Sequence, residues 1–228
     1  VSANNIWGNA AVVLVGDFLY SKAYQLMAED GSMEIMHLIS TTSNVMSEGE
    51  VFQLIKCGEV NLTEEDYLKI IEKKTAILIS AACTLGGYLG GAEVHQIEAL
   101  KQFGLRLGSA FQMTDDTLDY VAREEDFGKV IGKDLNEGKM TLPLIYTLKR
   151  CTPEERKFIE TALAERRTRE MPAGDILTLI SRYDGITDAL NQAETLIDEG
   201  RTFLAGLPEG PAKEALFAVS EFVLNRDL

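Results

Sequence analysis

Phe111-Gln112-Met113-Thr114-Asp115-Asp116-Thr117-Leu118-Asp119-Tyr120 is the stretch from which the rest of the chain is best read. An α-helix turns about 100° per residue, so Asp115, Asp119 and Asp116 fall at roughly 0°, 40° and 100° around its axis, with Gln112 near 60°. Three carboxylates therefore share one face. Like charges so placed repel by about 4 kcal/mol per pair at 4 Å and an effective dielectric of 20, and a face that keeps them together calls for a cation. Phe111, Met113, Leu118 and Tyr120 are apolar, which predicts partial burial and raises the cost of leaving the charge uncompensated. Oxygen ligands with no His or Cys beside them favour Mg²⁺ over zinc, and Mg²⁺ held by a few carboxylates completes its shell with water and substrate phosphates. A bare D-D-x-x-D also occurs as a solvated charge cluster. Here the Phe-Gln before it, the Asp-Tyr closing it and the lysine-glycine loop after it favour a metal site.

That loop runs Gly128-Lys129-Val130-Ile131-Gly132-Lys133-Asp134-Leu135-Asn136-Glu137-Gly138-Lys139. Glycines let backbone N–H groups approach an anion, and lysine supplies a mobile point charge suited to phosphate. Lys129, Lys133 and Lys139 could answer the acidic face through phosphate and metal. Upstream, Lys73-Lys74-Thr75 enters an otherwise apolar helix, and spacing alone does not choose between a side chain snorkelling to water and a cation aimed into a cavity. Glu50 and Gln53, three residues apart, share a helix face. A polar cavity wall and a plain solvent face are equally good readings of that pair.

Apolar residues recur at three- and four-residue intervals along the chain, which predicts an all-α fold. One helix is expected from Asn9 to Glu29 and a second from Met33 to Ile55. Thr63 caps the next, with acids in its first turn, and that helix is expected to reach a Gly86-Gly87 break. The acidic helix spans Glu93 to Tyr120. A short helix ends near Arg150, and Thr152-Pro153-Glu154-Glu155 reads as a capping box with Pro at the first helical position. Later helices break near Pro172, Gly185 and Leu207-Pro208.

The 228 residues, with no linker rich in Ser, Pro or Gly, read as a single domain over residues 1–228 able to bury a substantial core. A formal charge of −14 argues against nucleic acid and against anionic lipid as partners. Any phosphate-bearing substrate must be held by local lysines or metal. Cys57, Cys83 and Cys151 are scattered without metal-ligand spacing and fit a reducing, cytoplasmic compartment. His37 and His95 read as helix-surface residues. The uncharged stretch from Thr75 to Ala92 holds four glycines and reads as a core helix rather than a transmembrane segment. No signal peptide is visible at the start.

Several segments in order resemble the trans-polyprenyl diphosphate synthase family: Gly16-Asp17-Phe18 within Val15–Tyr20, Gly49-Glu50-x-x-Gln53, Lys74-Thr75, Phe111-Gln112-x-x-Asp115-Asp116-x-x-Asp119-Tyr120, Gly128-Lys129, and Asp134-Leu135-x-Glu137-Gly138-Lys139-x-Thr141-Leu142-Pro143. No single segment is diagnostic, but the combination is specific, and it looks most like bacterial long-chain synthases of the octaprenyl type. The resemblance implies an isoprenoid-synthase helical bundle around a central cavity, usually a homodimer. It implies condensation of isopentenyl diphosphate with an allylic diphosphate by Mg²⁺-assisted ionisation. Asp115, Asp116 and Asp119 match the second of two aspartate-rich metal motifs, with Asp115 the first choice as direct ligand. Lys74, Thr75, Gln112 and Lys129 match positions that hold the allylic diphosphate, and Lys139 a further cation. Asp115 and Lys74 are the expected catalytic residues.

One departure matters. The family's first aspartate-rich motif, its arginine pair and the upstream basic residues are expected before Val1, together with the family's N-terminal helices. The sequence holds no second D-D-x-x-D. This polypeptide is therefore expected to be inactive by itself, with activity in a longer parent. Met140 stands where many relatives have proline. Terpene cyclases replace these acids with an Asn/Ser/Glu motif, and squalene or phytoene synthases space them differently. The alternative from another class is a non-catalytic regulatory subunit of a heteromeric synthase.

Overall fold

The computed structural model describes residues 2–121, 132–166, 168 and 171–225, and the regular structure among them is entirely helical. Two compact units are distinguished, Val1–Ser43 and Asn44–Leu228. The first holds α1 (Ala3–Asp30) and the opening turns of α2 (Met33–Lys56). α1 starts earlier than its periodicity suggested because its helical turns continue on both sides of a kink at Gly8, with φ 77° and ψ 161°. None of its side chains is buried. Ile35 and Thr42 of α2 are buried, and the Tyr24 hydroxyl donates to Ser43 Oγ at 3.1 Å.

The second unit continues α2 and adds α3 (Glu64–Ile71), a π-helical turn (Glu72–Ala76), α4 (Ile77–Leu89), α5 (Val94–Val121), α6 (Lys133–Glu137), α7 (Leu142–Arg150), α8 (Pro153–Glu165), α9 (Ala173–Arg182), α10 (Gly185–Leu204) and α11 (Pro211–Asn225). Local signals start these helices where expected. Thr63 Oγ1 accepts the Asp66 N–H at 3.1 Å. At α8, Thr152 and Glu155 satisfy each other's backbone N–H groups in a complete capping box.

Two expectations are corrected. The helix begun at Thr63 does not break at Gly86-Gly87: it passes through the π turn, stays helical to Leu89 and turns at Gly90-Gly91, where Gly91 has φ +66°. Gly87 instead serves packing, since a Cβ there would meet Ile97 and Leu100 at 3.1 Å. The stretch expected as a continuous loop from Gly128 to Lys139 contains the short helix α6, which ends at Gly138 in the left-handed region.

α5 organises this unit. It meets the π turn and α4 through Gly108 and Gly104, and α10 where Gly200 faces Phe103 and Arg106. Phe103, Leu107 and Met113 of α5 join Leu142 and Leu144 of α7, Ile159 and Leu163 of α8, Ile176 and Ile180 of α9, and Ile197 of α10 in one buried cluster. With this side of α5 packed, Asp116 meets α3 and Gln112 meets the π turn. Among the described residues no helix is long and apolar enough to cross a membrane.

Candidate functional site

A cavity of about 270 Å³ opens within the second unit, between the end of α2, α3, the π turn, α5 and the segment 134–141. Asp115, Asp116 and Asp134 reach its wall, together with Lys74 and Lys139 and the amides of Gln53 and Gln112. Leu62, Ile70 and Ile71 supply apolar lining. Charged groups of both signs thus face one hollow beside an apolar surface.

The acidic face divides its labour. Asp115 is exposed towards the cavity. Asp116 is buried, and both its oxygens accept hydrogen bonds, Oδ1 from Gln112 Nε2 at 2.7 Å and Oδ2 from the Tyr67 hydroxyl at 2.8 Å. Burial pushes the Asp116 carboxyl up to about 7; the hydrogen bonds from Gln112 and Tyr67 oppose this, and the negative charges of Asp134 and Asp115 add to it. Asp119 is outside the cavity lining and accepts the Asp134 N–H on Oδ2 at 2.9 Å, tying the start of α6 to α5. Burial raises its pKa as well.

The lysines are set by the opposite wall. Lys74, in the π turn, donates to Gln53 Oε1 at 2.6 Å and pairs with Glu50 at 3.2 Å. Its neighbour Lys73 points instead to exposed Glu48, at 2.9 Å. The question that spacing left open is thereby answered: Lys74 faces the cavity, and Gln53 is a cavity-wall residue. An extra residue in the π turn shifts the helical phase at this point, which an unbroken 3.6 period does not anticipate. Thr75 donates to Gln112 Oε1 at 2.8 Å, which sets the end of the amide presented to Asp116. Lys139 bridges Asp134 at 2.8 Å and Glu137 at 2.7 Å. Burial works against its ammonium, but these carboxylates outweigh that cost and hold its pKa above the ordinary lysine value. Lys133 is exposed and pairs loosely with Glu137 at 3.8 Å. Lys129 lies outside the described residues.

Sequence reasoning named Asp134 only as part of a motif and overlooked Tyr67. A buried tyrosine hydroxyl needs a partner. Tyr67 shares the apolar side of α3 with Ile70 and Ile71, so a buried phenol there was a usable signal. Burial, then the nearby Asp116 charge, raises its pKa well above the ordinary tyrosine value, so it stays a donor.

The donor set suits a hard cation: carboxylate and amide oxygens, with no histidine in the wall. Among the described residues no three His, Cys, Asp or Glu side chains are already grouped as ligands of one ion. Such a site fits a cation that shares its shell with a phosphate-bearing substrate.

Carboxylates, ammonium groups and apolar side chains thus share one hollow in an all-helical unit. The chain belongs to the polyprenyl synthetase family, whose model matches residues 1–179. It is 39% identical over 226 residues to octaprenyl diphosphate synthase of Escherichia coli, an alignment covering 99% of this chain and 70% of that protein. Among solved structures it matches a polyprenyl synthase from Caulobacter crescentus, complexed with calcium and isoprenyl diphosphate, at 40% identity and a TM-score of 0.92, covering 99% of this chain and 69% of the other. A decaprenyl diphosphate synthase from Rhodobacter capsulatus matches at 35% identity and a TM-score of 0.90 over 99% and 69%. The isoprenoid-synthase fold expected from the sequence is therefore found.

Proposed function

We propose that the protein condenses isopentenyl diphosphate with an allylic diphosphate and so extends a trans-polyprenyl chain, with Mg²⁺ as the cation. The observation that carries this reading is the meeting of Asp115, Asp116 and Asp134 with Lys74 and Lys139 at one cavity. Asp115 and Asp116 would hold Mg²⁺, with Asp134 beside them and Asp119 fixing the segment that bears Asp134. A bound Mg²⁺ would neutralise charge developing on the leaving diphosphate.

Lys74, Lys139 and Gln112 bind and orient the same diphosphate, with Thr75 setting the Gln112 amide and Lys129 a further candidate contact. The bond between the allylic carbon and the diphosphate oxygen breaks, and the diphosphate leaves with the electron pair. The double bond of isopentenyl diphosphate attacks the allylic cation, and loss of a proton restores a double bond. Positive groups that meet more negative charge in the transition state than in the ground state speed the step. Leu62, Ile70 and Ile71 help exclude water, which would otherwise capture the cation.

The test is Mg²⁺-dependent binding of farnesyl diphosphate to the purified chain, followed by labelled isopentenyl diphosphate and chromatographic sizing of products. Binding that is lost in Asp115→Asn supports the reading, and the absence of Mg²⁺-dependent binding overturns it. The proposed elongation is that of a longer parent with both aspartate-rich motifs; this polypeptide, with a single D-D-x-x-D, is expected to show the allylic binding step only. Elongation by the chain alone would show that one aspartate-rich motif suffices. The regulatory-subunit alternative has no observation in its favour.

A homodimer is part of the same reading. Trp7, Leu14, Val15, Phe18 and Leu19 of α1 are each more than half exposed, and a contiguous apolar patch of this kind marks an interaction surface. A second copy is the occupant we propose. Sedimentation of the chain should give a dimer, and Phe18→Glu should shift it towards monomer. The free cysteines fit the cytoplasmic setting expected from the sequence.

A further inference from the structure

Tyr67 is a buried cavity-wall residue to which the proposed chemistry gives no task. It comes from α3, 49 positions before Asp116, and is 2% exposed. Its hydroxyl donates to Asp116 Oδ2 at 2.8 Å while Gln112 Nε2 donates to Oδ1 at 2.7 Å. Gln112 cannot turn its amide over freely, because its Oε1 accepts from Thr75 at 2.8 Å. The carboxylate is thus gripped at both oxygens, by α3 and by a relay that begins in the π turn. Turning it would break two hydrogen bonds in a buried place, where unmade bonds are costly. Each oxygen accepting one such bond keeps a second lone-pair direction, so the grip orients Asp116 without using it up.

We propose that Tyr67 is a positioning residue for cation binding: its hydroxyl fixes the Asp116 carboxylate, so that the cavity's preference for Mg²⁺ over Ca²⁺ depends on α3 as well as α5. This rests on reading the cavity as a cation and diphosphate site. Mg²⁺ demands near-ideal octahedral geometry, whereas Ca²⁺ accepts six to eight oxygens in flexible arrangements. A carboxylate released to rotate therefore harms Mg²⁺ binding more than Ca²⁺ binding. Partners that orient metal ligands from behind are typically worth roughly 10- to 100-fold in affinity.

The test uses the whole chain and the metal alone. Mn²⁺ binding is followed by electron paramagnetic resonance and displaced with Mg²⁺ or with Ca²⁺, in the native chain and in Tyr67→Phe, Asp115→Asn and Thr75→Val. Tyr67→Phe should weaken Mg²⁺ by about ten-fold or more and Ca²⁺ by less. Thr75→Val, which frees the other side of the grip, should change the preference in the same direction. Unchanged Mg²⁺ affinity in Tyr67→Phe, or equal losses for the two ions, overturns the positioning role. If Asp115→Asn leaves Mn²⁺ binding unaltered, the cation reading itself fails. If it weakens binding while Tyr67→Phe does not, only the inference about Tyr67 fails. Should the phenylalanine variant not fold, 3-fluorotyrosine at position 67 gives a second measurement. Its ¹⁹F resonance should move with the midpoint of Mg²⁺ binding, and a resonance that stays still overturns the proposal.

Discussion

Gly108 of α5 lies against Ala76 of the π turn so closely that a Cβ on the glycine would fall 2.5 Å from the Ala76 Cα. One turn earlier, a Cβ on Gly104 would fall 2.7 Å from the Ser80 Cα. The two glycines let the backbone that carries Lys74 and Thr75 approach the helix that carries Gln112, Asp115 and Asp116. The hydrogen bond from Thr75 to Gln112 depends on that approach.

Gly108→Ala should therefore destabilise the protein by about 1–3 kcal/mol, the usual cost of overpacking. In an exposed helix the same change would stabilise by roughly 1 kcal/mol, so the sign is diagnostic. Urea unfolding gives the stability, and pyrophosphate binding should weaken in the same variant. A stabilised protein with intact binding would show that the π turn can move aside.

Asp115→Asn and Asp116→Asn should separate binding from folding. Asp115 is exposed, so its loss should change stability by no more than about 0.5 kcal/mol. Its loss should also lower the affinity for Mg²⁺ with pyrophosphate by roughly a hundred-fold, about 2.8 kcal/mol. Calorimetric titration beside thermal unfolding checks both. Asp116→Asn keeps the shape of a buried group whose partners are Gln112 and Tyr67, and should move stability and its pH dependence together.

The pH dependence has a definite sign. Asp116 ionises near 3.8 when unperturbed, and burial pushes it up to about 7 in the fold. Between those values the folded state holds a proton that the unfolded state has released. This group's contribution to stability is then present below about 4 and lost as pH rises to about 7, with a slope of at most about 1.4 kcal/mol per pH unit. Cation affinity should rise over the same interval as the proton is displaced. Metal-free denaturation at several pH values should show the slope in the native chain, and Asp116→Asn should reduce it, leaving the smaller contribution of the same sign from Asp119.

Lys213 provides a stability test remote from the cavity. Its ammonium is nearly buried and donates to the Leu207 carbonyl at 3.1 Å and to Glu209 at 2.6 Å, just past the end of α10. Lys213→Met removes a cation from a helix C-terminus and leaves carbonyl groups without that donor. A loss of about 1–2 kcal/mol in urea unfolding is expected, with Mg²⁺ binding unchanged. Altered Mg²⁺ affinity would mean that the end of α10 and the cavity are coupled.

What the sequence determined by itself was the set of local features. The helical period, the Thr63 cap, the Thr152–Glu155 capping box and the side-by-side carboxylates of Asp115, Asp116 and Asp119 depend on neighbours within one or two turns. The tertiary structure alone decided which of those groups meet. Packing on Gly104 and Gly108 and the π turn brought Lys74, rather than Lys73, to the cavity. The same packing buried Asp116 while leaving Asp115 exposed, and it gave Asp119 to the backbone of Asp134. Tyr67 reached Asp116 across 49 residues. Periodicity fixes angles around one helix axis, whereas burial and hydrogen-bond partners are set by which other helix lies opposite, and that is decided by close packing between distant parts of the chain.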